Sequence, residues 1–167
     1  MVANNKSTHV APDFDERYPN ASVRATEAAM NLVLTADLIV KHISDLLRPF
    51  DLSPAGGLVL STLADSDSPL SPNKIAERLI ISRASVTGLL DSLERRGYVR
   101  RTPHGSDRRM LLIELTDTGR KVARDFRPII HHHEKVWLGA LSEKEQRQVI
   151  DLLHRIQQTL TASEKGA

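Results

Sequence analysis

Apolar residues recur at steps of three and four through Ala25, Ala28, Leu32, Ala36, Ile39, Ile43 and Leu46, and Val33, Val40 and Leu47 widen the stripe. This spacing predicts one long amphipathic helix. It opens near Asn20, a good N-cap, and closes before Pro49, because proline disfavours helical geometry in the residue preceding it. At about 28 residues it exceeds the usual 8–20 of a globular helix. A long amphipathic helix near a terminus suits packing against a partner chain.

The pattern then shortens. Ser53-Pro54 and Ser71-Pro72 each place a hydroxyl at an N-cap and proline at the first helical position. They predict helices over 53–64, with Leu58, Val59 and Leu63 inward, and over 72–79, with Ile75, Ala76 and Leu79 inward. After Ile80-Ile81, Ser82 caps a helix over 83–96 whose inward stripe is Val86, Leu89, Leu90 and Leu93, with Gly97 as its stop. Tyr98–Arg101 and Met110–Leu115 read as two short strands around the turn-rich Thr102–Asp107, a hairpin with a long basic tip. Thr116 caps a helix to about Phe126. Pro128 is expected to kink it, and helical character resumes through Trp137. Ser142 and Glu145 form a capping box for a last helix carrying Val149, Leu152, Leu153, Ile156 and Leu160.

Two short helices joined by a tight link, the second with a polar outer face, describe a helix-turn-helix, and the hairpin that follows makes it winged. The fold class is therefore mainly α with a small β-hairpin wing. Residues 50–118 form the winged region. Helical segments 20–48 and 120–162 flank it as a dimerisation region, and residues 1–19 form a polar tail, or an arm that orders only against a partner. A helix fits the major groove of DNA and reads it with its N-terminal residues. Here the outer face is Arg83, Ala84, Ser85, Thr87, Gly88, Asp91 and Ser92. It is small and polar, so backbone approaches the groove closely. Arg83 has the fork to grip a guanine, and Ala84 or the Thr87 methyl suits a thymine methyl.

Charge sharpens this picture. The net charge of +2 is unevenly placed: residues 71–109 hold nine Lys/Arg against four acids, a local +5, which leaves the rest at −3. A basic centre between acidic flanks suits a polyanion, although solvated helix faces give the same arithmetic. Lys74, at a helix start, is either a phosphate contact or a solvated cation. Arg95 and Arg96, at the far end of the 83–96 helix, suit its dipole and read as structural.

The run from Ser71 to Arg120 resembles the core of the MarR family of bacterial transcription regulators. The matching residues are Ile75-Ala76, Ser85-Val86-Thr87, Leu93 to Val99 and, most specifically, Asp107-Arg108-Arg109 followed by Leu115-Thr116 and Gly119. The likeness extends over about residues 21–162. The resemblance implies a homodimer built by the first and last helices, a palindromic double-stranded DNA operator, repression, and release by a small ligand. Carried onto this chain, the Ser82–Ser92 helix enters the major groove and Arg109 enters the minor groove. Asp107 orients Arg109, and Arg108 contacts a phosphate or a base. The family's ligand pocket lies where the first helix meets the winged domain, at the helices from Ser53 and Thr116. This makes His42 and Leu46 candidate lining residues for a small aromatic or phenolic effector, although a packed histidine is the commoner role.

Other chemistry finds little footing. With no cysteine, a disulfide scaffold, a thiolate metal site and a thiol sensor are excluded. Consecutive helical residues point about 100° apart, so His131-His132-His133 cannot readily converge on one ion, and no metal or other cofactor is expected. Gly-rich phosphate loops, GxSxG and HExxH are missing, so an enzyme is not expected. The rival class is a winged-helix module that holds proteins. It needs an acidic or apolar recognition face, where this one is basic. No apolar run reaches the ~18 residues of a membrane span and the first 20 residues show no apolar signal core, so a cytoplasmic protein is expected.

Overall fold

A computed structural model of the chain describes residues 8–103 and 111–165. The elements are α1 (Phe14–Arg17), α2 (Val23–Leu47), α3 (Pro54–Ala64), α4 (Pro72–Leu79), α5 (Arg83–Arg95), β1 (Val99–Pro103), β2 (Leu111–Leu115), α6 (Asp117–Leu138) and α7 (Glu143–Lys165). The chain divides into two compact units at Ala123/Arg124, inside α6.

In the first unit the caps carry most of the local logic. Ser53, Ser71 and Ser82 accept from the backbone N–H of Gly56, Lys74 and Ser85. Each satisfies a donor that the first helical turn leaves orphaned. At α2 the cap is Ser22, accepting from Ala25, and not Asn20. Ser22 has the extended backbone that a cap requires, and the helix opens two residues later than its polarity suggested. The expected tail is tied down from Thr8 onward. The Asn31 side chain exchanges two hydrogen bonds with the Thr8 backbone (3.2 and 3.0 Å), and Val10 N–H donates to Glu27 Oε1 at 3.1 Å. The short α1 then stacks Phe14 on Tyr18. These partners are polar and lie 17 to 23 residues apart, so apolar periodicity could not reveal them.

The core of this unit gathers Leu47, Val59, Leu60, Leu63, Ile75, Val86, Leu90, Leu93, Val99, Ile113 and Leu115, all buried. Each such side chain is worth about 1.5–3 kcal/mol of burial. Leu58, expected inward, is 57% exposed, and Leu60 takes its place. α3 is apolar almost throughout, so its periodicity alone does not fix which face turns in. At Gly57 a Cβ would stand 2.7 Å from Leu47 Cδ1, so the glycine lets α3 come close to the end of α2.

β1 and β2 pair antiparallel, with Arg100 opposite Glu114 and Arg101 opposite Ile113. Thr102 and Pro103, expected in the turn, belong to β1. Leu70 bridges Ile113 through two backbone hydrogen bonds (3.0 and 2.8 Å), which pins the α3–α4 link to the outer edge of β2.

In the second unit α6 runs through Pro128 as one helix to Leu138. Ser142 and Glu145 close their capping box, with Ser142 N–H donating to the carboxylate at 2.8 Å. This draws Glu145 below its ordinary pKa, first through the Ser142 hydroxyl and then through its N–H. Ile150, Leu152, Ile156 and Leu160 of α7 are exposed. Separately, Val33, Leu34, Leu38 and Val40 of α2 are exposed in the first unit.

Candidate nucleic-acid interface

α4 and α5 are joined by Ile80, Ile81 and Ser82. Ile80 adopts the left-handed conformation (φ 54°) and returns its N–H to the Ala76 and Glu77 carbonyls, which closes α4 and turns the chain into α5. Ser82 locks the first turn of α5: its hydroxyl accepts from Ser85 N–H at 3.1 Å and sits 2.8 Å from the Ser85 hydroxyl. Thr87 donates its hydroxyl proton to the Arg83 carbonyl at 3.1 Å. Ser82, Arg83, Ala84, Ser85, Thr87 and Gly88 are all exposed. The structure therefore brings the predicted recognition residues together on one open surface at the positive end of a helix, where anions are favoured. Lys74 stands exposed in the first turn of α4.

The basic segment sorts into two classes. Arg96 forks onto Asp51 (2.7 Å and 3.4 Å) and also bonds Ser92. This hydrogen bond, then the guanidinium charge, hold Asp51 below its ordinary pKa. Arg100 donates to Glu114 across the hairpin at 2.8 Å and is raised in pKa by it. Arg101 donates to Asp91 (2.5 Å) and Glu94 (2.9 Å). These three arginines are structural. Among the described residues Lys74, Arg78, Arg83 and Arg95 carry no ion pair, and the local positive potential is left to them. Sequence reading singled out Arg96 as structural but missed Asp51, its partner 45 residues away.

The hairpin is fastened at its root. Thr116 donates to the Gly97 carbonyl at 2.6 Å and accepts from Gly119 N–H at 3.0 Å, so one hydroxyl caps α6 and holds the end of α5. The Tyr98 hydroxyl donates to the Phe50 carbonyl at 3.0 Å. The wing-tip residues Asp107, Arg108 and Arg109 lie outside the described residues.

The MarR family model matches residues 50–110, from just after α2 through β1 to the residue before β2. The HTH-type transcriptional repressor YetL of Bacillus subtilis is 42% identical over 124 residues, covering 74% of each chain. The chain belongs to the MarR family. Another relative, the HTH-type transcriptional regulator PecS of Dickeya dadantii, is 32% identical over 127 residues, covering 74% of this chain and 75% of PecS. A MepR–DNA complex from S. aureus superimposes with a TM-score of 0.75 at 26% identity, covering 80% of this chain and 97% of MepR. As a MarR protein the chain is a winged-helix, DNA-binding transcriptional regulator and not an enzyme.

His42 is exposed and Leu46 half-buried, both in the last turns of α2. A nearby open cleft of about 240 Å³ is lined instead by Ser44, Arg48, Asp51, Leu52, Ser53 and Arg96. His131 pairs with Glu134 at 2.9 Å and the His132 and His133 rings meet edge to face. Among the described residues no cluster of three or more His, Asp or Glu is placed to hold a metal, and no helix is long and apolar enough to cross a membrane.

Proposed function

We propose that this MarR protein reads one palindromic operator as a homodimer and represses transcription until a small aromatic or phenolic molecule releases it. The observation that carries the reading is the exposed face of α5. There Arg83, Ala84, Ser85 and Thr87 are open, the first turn is locked by Ser82, and Arg83 has no competing acid. Residues 50–118 act as the reading module, with 20–48 and 120–162 as the dimerisation region. The exposed apolar residues of α2 and, separately, of α7 supply surface for that role. In a two-fold dimer each α5 enters a major groove and half-sites lie about one helical turn apart.

Lys74 and Arg108 contribute phosphate contacts, and Arg109, oriented by Asp107, enters the minor groove. The named activity of YetL favours repression. His42 and Leu46 line the effector pocket in this scheme.

The test is selection of full-length protein on a pool of random duplexes, followed by sedimentation of the protein alone and with the enriched site. An enriched inverted repeat bound by two chains supports the reading. Failure to enrich any sequence, or a monomer on a single half-site, removes it.

A further inference from the structure

Arg83, Thr87, Asp91 and Glu94 follow one another at steps of four, four and three along α5, so they share one stripe of the helix surface. The first half of that stripe is the exposed reading face. The second half is acidic. Carboxylates there repel phosphate, and near the C-terminal end of a helix they also oppose its dipole. Their presence calls for a compensating group, and the hairpin provides one. Arg100 and Arg101 point to opposite faces of β1. Arg100 follows Glu114 on the outer face, while Arg101 shares its face with its cross-strand partner Ile113, which is fully buried. The Arg101 side chain is thereby aimed inward at α5. Its two terminal nitrogens take one acid each, Asp91 at 2.5 Å and Glu94 at 2.9 Å, and its side chain is only 27% exposed.

We propose that Arg101 is a positioning residue for DNA binding that touches no DNA: its guanidinium masks the acidic half of the recognition stripe from the phosphate backbone. This rests on α5 being the reading helix. A lysine offers one compact charge and lacks the fork that serves both acids.

The experiment is a double-mutant cycle on the full chain, with operator affinity read by fluorescence anisotropy and folding by circular dichroism. The native chain is measured first on the selected operator, which separates failure of the DNA-reading assignment from failure of this one. Arg101→Ala is expected to weaken binding about tenfold or more, and Arg101→Lys by less. Asp91→Asn with Glu94→Gln, added to Arg101→Ala, is expected to restore affinity to within about threefold of native. In the native background the same pair should shift affinity by less than about threefold, since masked acids cost little. Equal factors in the two backgrounds overturn the proposal, because they describe independent long-range charges. Loss without any rescue overturns it as well, because it marks Arg101 as a phosphate contact. Should Arg101→Ala fail to fold, Arg101→Met keeps the apolar stem and completes the same cycle.

Discussion

Gly119 stands directly against the carbonyl of Tyr98: a Cβ built on Gly119 would lie 1.9 Å from that oxygen and 2.8 Å from its carbon. The Thr116 N–H donates to the same carbonyl at 3.0 Å, which fixes the approach. Any side chain at 119 must push α6 away from the hairpin root and break the Thr116 bonds to Gly97 and Gly119. Gly119→Ala is therefore expected to cost at least ~3 kcal/mol, the top of the overpacking range, because the obstacle is backbone and cannot rotate aside. Urea denaturation of native and variant chains measures it. A loss below about 1 kcal/mol would show that α6 shifts without penalty.

Ile80 poses the opposite case. It is β-branched, left-handed (φ 54°) and 64% exposed. The left-handed conformation costs an L-residue about 1–2 kcal/mol. Glycine avoids this and gives back part of the gain through the entropy of its unfolded state. Little burial is lost on truncation. Ile80→Gly is expected to raise stability by about 0.5–1 kcal/mol, with Ile80→Asn following in the same direction. A calorimetric melt decides this, and a lowered midpoint for both variants would refute it.

Asp51 gives a pH dependence whose sign is fixed. Its hydrogen bond from Arg96, and then the guanidinium charge, lower its folded pKa from 3.8. A carboxylate depressed by folding contributes stability that is complete above its unfolded pKa and is lost as pH falls through the folded value. The stability gap between native and Asp51→Asn chains should be constant from neutral pH down to about 5 and should close below about 4. Denaturant midpoints at a series of pH values test it. A gap that does not narrow as pH falls below about 4, or one that varies between pH 6 and 8, contradicts the pairing.

Every element except α1 was readable in advance because local physics writes it. Ser-Pro pairs, a Ser-x-x-Glu box and apolar steps of three and four mark caps and faces within a few residues, and Ser53, Ser71, Ser82 and Ser142 all cap as expected. The Thr116/Gly119 spacing was legible as a family signature. The reason for it, the shared carbonyl of Tyr98, appears only in space. What the sequence hid is non-local and polar: Arg96 with Asp51, Asn31 with Thr8, and Arg101 with Asp91 and Glu94. Charge counting weighs all the arginines of the basic segment equally, whereas Arg96, Arg100 and Arg101 are already paired. Leu58 was misplaced for a different reason. In a helix apolar on nearly every side, amphipathic phase carries no information.

Two cations on the reading surface should separate base reading from phosphate binding. Arg83 opens α5 with no acid beside it, and its planar fork matches the two acceptors of guanine. Lys74 opens α4, carries a compact charge, and lies in the first helical turn where phosphates are favoured. Arg83→Ala is expected to cost about 1–3 kcal/mol on the selected operator and to relax preference at one base pair in each half-site. Lys74→Ala should weaken every duplex by a similar factor and reduce the slope of log affinity against log salt by about one per chain. Selection repeated with each variant, together with salt titrations on operator and random DNA, measures both effects. Should Arg83→Ala weaken operator and random duplexes equally, Arg83 is a phosphate contact. Guanine recognition must then come from another residue of the Ser82–Thr87 turn, where the remaining side chains are hydroxyls, small apolar groups and no second arginine.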